Sequence, residues 1–299
     1  PPWLACRRVD RHGHKHLGLP AHMTTRVWGI DFSGAAHPGA RLALAEATLQ
    51  EGVVRIGAVE AVATRCGTPS AREAAIAGLT ELARSVGPDR VGIDAALSLP
   101  QTALRALGAD RWQQLPAAVR RRCPDARALT GLVIDAAPPT GPRYPRRVTD
   151  ARTAALSPVH FMIAAQTYAA LTELLPRWRA VGDVAPHGGA RPTLCEVYPA
   201  AALSVWAIAS TGYKGEDPRH RDRRVAIIDA LTDTGAVTVA PGPRAAMLDQ
   251  PGGDLLDAAI AAVVAGLARP TAPPGPPAEG AICGGEPTDY RPQCPLLPT

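Results

Sequence analysis

A chain of 299 residues, 46% hydrophobic and 20% charged, has the composition of a globular protein able to bury one large core or two modest ones. No apolar run approaches the ~20 residues that cross a bilayer; the longest, 258–268, has the length of a core helix, so a membrane span is excluded. The formal charge of +5 is unevenly placed: residues 1–22 carry +3 and the Arg-rich stretch 100–152 carries +6, leaving a mildly acidic remainder. That pattern predicts a focused anion-binding surface or a solvated Arg-rich loop rather than a general polycation.

Residues 1–22 hold His12, His14, His16 and His22 without a hydrophobic stretch, and read as a leader foreign to the fold. Cys6, Cys66, Cys123, Cys195, Cys283 and Cys294 form no Cys-x-x-Cys pair. With no secretory signal visible they read as reduced thiols of a cytoplasmic protein.

Residues 26–32 (RVWGIDF) form a short apolar run that stops at Ser-Gly, a buried-strand pattern. Alternation in 41–48 and 53–62 across the Glu51-Gly52 turn predicts two further strands in an antiparallel meander. Ser70 is expected to cap a helix reaching about Val86, with Ala75, Ile76, Leu79, Leu82 and Ala83 at helical spacing. Residues 90–97 (RVGIDAAL) predict a fourth strand, parallel to the first. From 100 to 150 the pattern loosens into a short helical piece and irregular, Pro-rich chain. Helix is expected again at 157–175, a buried strand at 193–198 (TLCEVY), helices at 200–209 and 219–232, a short strand at 237–239, and an apolar helix at 254–267.

A meander followed by α-β crossovers places strands one and four side by side in a mixed sheet. The expected fold is therefore α/β and ribonuclease-H-like, with five main strands. Residues 23–285 read as one domain, 100–192 as its elaboration and 286–299 as a Pro-rich tail.

On that topology Asp31 ends the first strand and Asp94 lies near the end of the fourth. Each alone could simply close a strand. Together, two carboxylates on apolar neighbouring strands repel and are desolvated, a conflict that a divalent cation resolves. Hard oxygen ligands suit Mg²⁺ or Mn²⁺. Asp254 and Asp257, three apart, share one face at the start of the last helix. Capping explains Asp254 well and Asp257 less well, so Asp257 is the expected ligand and Asp254 a possible second. Glu196 interrupts an apolar strand, where it needs either a metal or an Arg partner.

Basic residues flank these acids. Lys214 is the sole Lys after residue 15, against 30 Arg, and a compact ammonium beside Tyr213 suits phosphate or a carboxylate. Arg147, Thr149, Asp150 and Arg152 precede a helix and could grip a phosphodiester, or cap that helix and pair with Glu196. Ser33, in the turn after the first strand, is a further candidate substrate contact. His160 reads as structural. An aromatic content of 4% argues against extensive base stacking on an open surface.

The ordered set Gly29-Ile30-Asp31-Phe32-Ser33-Gly34-Ala35, Gly92-Ile93-Asp94, Arg147-x-Thr149-Asp150, Cys195-Glu196-Val197-Tyr198-Pro199-Ala200-Ala201, Tyr213-Lys214 and Asp254-x-x-Asp257-Ala258 resembles DUF429. This domain-of-unknown-function family is described as predicted ribonuclease-H-like nucleases. The resemblance runs from about residue 26 to 285. The Gly-Ile-Asp strand and the Asp257 helix also resemble Holliday-junction resolvases, which implies Asp31, Asp94 and Asp257 as metal ligands. Resolvases carry Glu where this chain has Asp94, so resolvase activity itself is not implied.

The resulting expectation is metal-assisted hydrolysis of DNA or RNA. Asp31 would bridge two cations ~3.5–4 Å apart, with Asp94, Asp257 and Glu196 completing the set. Lys214 and Arg147 would neutralise phosphate charge. Two rivals remain at the level of sequence. One is an actin-like nucleotide-phosphate site, for which residues 200–299 offer too little chain for the second domain copy. The other is an inactive nucleic-acid or protein binding module.

Overall fold

Seven strands form one mixed sheet in the order β5-β6-β4-β1-β2-β3-β7. The computed structural model describes residues 24–184, 193–268, 279–286, 289–290, 294 and 296–297; the expected leader at 1–22 lies outside them. The strands are β1 (Thr25–Asp31), β2 (Ala43–Gln50), β3 (Val53–Ala61), β4 (Arg90–Asp94), β5 (Asp183–Val184), β6 (Thr193–Glu196) and β7 (Val237–Val239). β2 runs antiparallel to β1 and β3, while β1–β4, β4–β6, β5–β6 and β3–β7 pair in parallel.

The meander and the parallel β1–β4 pairing are as the sequence predicts. The expected five strands are too few. β7 adds in parallel to β3 at one edge, and the two-residue β5 adds to β6 at the other. A pair of residues carries no alternation, which is why β5 has no sequence signature.

After the meander come α1 (Val62–Cys66) and α2 (Arg72–Val86). Ala71 stands at the N-cap of α2 with no side-chain cap, so Ser70 does not hold the expected position. The stretch 100–150, expected to be largely irregular after one short helical piece, contains α3 (Gln101–Leu107), α4 (Leu115–Arg122), α5 (Ala126–Asp135) and the start of α6 (Val148–Arg152), while the helix expected at 157–175 is present from Ala164 as α7 (Ala164–Ala169) and α8 (Leu175–Trp178), joined by a π-helical stretch Ala170–Leu174. The shortness of α3 to α6 hides their periodicity. Local devices mark their ends instead: Gly108 closes α3 in the left-handed region, and the Asp125 carboxylate accepts from Ala128 N at 2.7 Å to start α5. α9 (Pro199–Val205), α10 (Pro218–Asp233), α11 (Pro241–Asp249) and α12 (Asp254–Leu267) complete the helices named here.

Alternation along the strands divides the core in two. Trp28, Ile30, Val91, Ile93 and Leu194 pack with α2–α5 and the α7–α8 segment, around the buried Trp178. Val27, Ala43, Ala45, Cys195 and Val197 pack with α9, α10, α11 and α12. α12 is apolar on every side and buried from Leu255 to Gly266, as a helix sandwiched within a core must be. It crosses β1, β2 and β4.

Two glycines set how closely α12 lies. Gly29 and Gly92 are register partners on β1 and β4. A Cβ at Gly29 would stand 1.9 Å from Ala258 O, and one at Gly92 would stand 2.3 Å from Ala261 O. No L side chain fits either position, so the helix backbone rests directly on the sheet. This contact fixes the first turn of α12 at the C-terminal ends of β1 and β4.

No helix among the described residues is long and apolar enough to cross a membrane. Cys66, Cys123, Cys195, Cys283 and Cys294 are free thiols.

Candidate functional site

Asp31 and Asp94 are register partners, two residues beyond the Gly29–Gly92 pair. In parallel strands about 4.8 Å apart, partners project to the same face. Both carboxylates therefore leave the sheet on the side covered by α12. Asp257, one residue before the Ala258 carbonyl that rests on Gly29, arrives at the same place from the first turn of that helix. The expected convergence of three segments is present.

Electrostatics follow from this placement. Burial holds the Asp31 carboxyl well above the ordinary carboxylate range, and Asp257 and Asp94 raise it further. Burial, then Asp257, pushes Asp94 up to about 8. Burial also raises Asp257, although Lys214 and Tyr213 oppose the shift. Such mutual elevation is what like charges crowded in a poorly solvated place produce.

Lys214 and Tyr213 meet Asp257 as neighbours in sequence. The Lys214 ammonium lies 2.5 Å from Asp257 Oδ2, and the Tyr213 hydroxyl donates to Oδ1 at 2.7 Å. The Lys214 side chain remains half-exposed at 52%. The carboxylate field raises its pKa against the effect of burial. Arg224, a residue the sequence gave no reason to single out, holds this loop. Its guanidinium donates to Tyr213 O at 2.6 Å and to Leu248 O at 3.0 and 3.1 Å.

Asp31, Asp94 and Lys214 open on a cleft of about 320 Å³, lined also by Ser33, Arg41, Arg147, Asp150, Glu196, Tyr198 and Asp254, with Asp257 buried behind it. Ser33 Oγ accepts from Ala35 N at 3.3 Å at the cleft wall. Asp254 is not the helix cap; Gly253 takes that position, and Asp254 Oδ2 accepts from Gln250 Nε2 at 2.6 Å. Gln166, also unanticipated, donates to Phe32 O at 2.5 Å and Asp94 O at 2.7 Å, tying the ends of β1 and β4 together. Clefts at strand C-termini, where the chain leaves in different directions, are common ligand sites in α/β sheets.

Glu196 is a correction. It is in register with Ile93, not Asp94, so alternation turns it away from the Asp31–Asp94 side of the sheet, although it still lines the cleft. There the Arg147 guanidinium binds both of its oxygens, at 2.8 Å to Oε2, and Leu97 N donates to Oε2 at 2.9 Å. Its charge is thus met by an Arg, the partner expected as the alternative to a metal.

Arg147, Thr149 and Asp150 are not substrate contacts; of the two readings left open for them, capping α6 and pairing with Glu196 is the one present. Arg147 is 1% exposed and Asp150 fully buried. Arg147 donates to Asp150 at 2.6 Å and to Glu196, while Asp150 Oδ2 accepts from Arg147 N at 2.8 Å as part of a capping box opening α6. Glu196 and Asp150 keep the guanidinium firmly protonated despite its burial. Thr149 Oγ1 accepts from Ile282 N at 3.0 Å. None of the three offers a free group to a substrate. Arg152 is exposed but pairs with Glu286 at 2.6 Å.

The family model described as protein of unknown function (DUF429) matches residues 29–279. The chain belongs to this family. Neither the curated proteins nor the solved structures hold a significant match to it. The matched span contains every residue of the DUF429 cleft named above.

Proposed function

We propose that this DUF429 chain is a divalent-metal-dependent nuclease with a ribonuclease-H-like fold, hydrolysing phosphodiester bonds at the cleft of Asp31, Asp94 and Asp257. One observation carries the reading: the in-register pair Asp31–Asp94 on β1 and β4, with Asp257 set over it by the close packing of α12. Three buried acids face one ammonium there, a surplus of negative charge that folding alone gives no reason to keep.

The donor set suits Mg²⁺ or Mn²⁺, because all its atoms are hard carboxylate oxygens. Among the described residues, no three His, Cys, Asp or Glu side chains already stand as a cluster ready to hold an ion. Lys214 instead supplies the countercharge at Asp257 Oδ2. Its half-exposed side chain can release that oxygen without disturbing the core.

Asp31, Asp94 and Asp257 would hold the metal, which when bound supplies an acidified water and Lewis-acid contact with a phosphate oxygen. Tyr213 keeps Asp257 oriented through Oδ1. Gln166 fixes the spacing of the Asp31 and Asp94 strands. Lys214, freed from Asp257, places its ammonium at the cleft to neutralise phosphate charge.

The test is incubation with single- and double-stranded DNA and RNA, with and without Mg²⁺ or Mn²⁺, alongside Asp31→Asn. Cleavage that requires the metal and disappears in the variant supports the proposal. Metal binding without cleavage of any substrate would leave a binding module, and cleavage unchanged by the substitution would place the chemistry elsewhere.

A further inference from the structure

We propose that Arg143, Tyr144, His160 and Phe161, with Met162 beside them, form a stacking platform for unpaired nucleobases, so that the polymer entering the cleft is single-stranded. This deepens the nuclease reading and rests on it for the role of the cleft.

Phe161 and Met162 are 72% and 69% exposed, in a chain that buries nearly all its other large apolar side chains among the described residues. A single exposed hydrophobe is ordinary. Here two are adjacent, and Met162 lines the same cleft as Asp31 and Asp94. Behind them the rings stand in a row. The Phe161 and His160 centroids are 4.4 Å apart, His160 and Tyr144 are 4.9 Å apart, and the Arg143 guanidinium lies 5.4 Å from the Tyr144 centroid. These are distances at which planar groups attract one another, and the outer face of Phe161 remains open to a further ring.

The row is held in place before any ligand arrives. Tyr144 packs on the buried core of its side of the sheet. His160 N donates to Ser157 O at 2.9 Å, and His160 O accepts from Ile163 N and Ala164 N, both at 2.9 Å. A prefixed apolar face loses little entropy when a base lies on it.

Charge identifies the occupant. Arg143 and Arg146 are exposed on the same stretch, and the exposed Arg41 lines the cleft whose floor is acidic. A cationic rim with π faces around an anionic well fits a polyanion that presents flat rings, its backbone on the arginines and its scissile phosphate at the carboxylates. In a duplex the base faces are already stacked on each other, which leaves Phe161 without a partner. The 4% aromatic content, read as arguing against extensive stacking, is an average that conceals this local row assembled from two segments.

The experiment measures fluorescence anisotropy in EDTA, so that neither metal nor hydrolysis contributes. The probes are a labelled oligo(dT) of about twelve nucleotides, within the span of single-strand sites, its abasic counterpart and a hairpin duplex. The wild type is expected to bind oligo(dT) roughly tenfold or more tightly than the abasic strand or the duplex. Phe161→Ala with Met162→Ala should erase that preference while leaving abasic binding unchanged, and Phe161→Trp should retain it. Equal binding of oligo(dT) and abasic strand by the wild type overturns the proposal, as does tighter duplex binding. So does a double-alanine variant that alters self-association in sedimentation but not oligonucleotide binding. Base preference without metal-dependent cleavage sinks the nuclease reading alone; cleavage without base preference sinks the platform alone.

Discussion

Two groups of acids border the same cleft, Asp150 and Glu196 in one and Asp31 and Asp94 with the buried Asp257 in the other, and they are built differently. Asp150 and Glu196 share Arg147, whose planar fork bonds both carboxylates, and Leu97 N adds a further donor. Asp31, Asp94 and Asp257 share one Lys ammonium, which reaches Asp257 alone at bonding distance. In the first group each carboxylate is bonded directly by the shared guanidinium, which marks a brace. In the second only Asp257 is bonded by the cation, the arrangement on which the proposed metal site rests. Buried acids are informative only once their partners are counted.

Removing the charge partner should separate the two most sharply. Arg147→Met leaves Asp150 and Glu196 buried without a cation and should cost about 3–5 kcal/mol of stability, measured by urea unfolding. A loss below about 1 kcal/mol would deny the brace.

Removing an acid from the other group should act with opposite sign. The folded-state pKa of Asp94 is raised from 3.8 to about 8, so the folded protein holds a proton the unfolded chain has released. Metal-free stability therefore falls as pH rises from about 4 to about 8. Asp94→Asn should abolish that part of the slope and gain up to about 5 kcal/mol at pH 8, with little advantage near pH 4. Denaturant unfolding in EDTA at the two pH values checks it.

The same protons compete with metal. Mn²⁺ affinity, followed by calorimetric titration, should rise up to about tenfold per pH unit between about pH 6 and 8 and then level off. A flat profile would mean that the acids are already ionised. The smallest effect is expected at the exposed Arg152–Glu286 pair, where Arg152→Ala should change stability by less than about 1 kcal/mol in thermal unfolding.

The carboxylate pair was readable because two Gly-Ile-Asp strands within a β-β-β-α-β order leave few topologies. Asp257 was readable because a charge opening a wholly apolar helix needs a reason. For Glu196 the sequence left a metal and an Arg partner both open, and only the register of β6 and the place of Arg147 decide for the Arg. That Arg147 caps α6 with Asp150 and pairs with Glu196 was one of two readings open in the sequence, and the Glu196 contact that decides it is 49 residues away. Gln166 and Arg224 act through backbone carbonyls, which leave no pattern in side-chain sequence. The helices between 100 and 152 were obscured by their brevity, and the row at Tyr144 and Phe161 by the distance between its segments.

The most direct trial of the account is a paired measurement on the wild type and Asp31→Asn at pH 8: melting in EDTA, and Mn²⁺ binding by calorimetry. The surplus-charge account predicts that the variant melts higher than the wild type without metal and fails to bind Mn²⁺ where the wild type binds it. A variant that melts lower, or binds Mn²⁺ as well as the wild type, would contradict it.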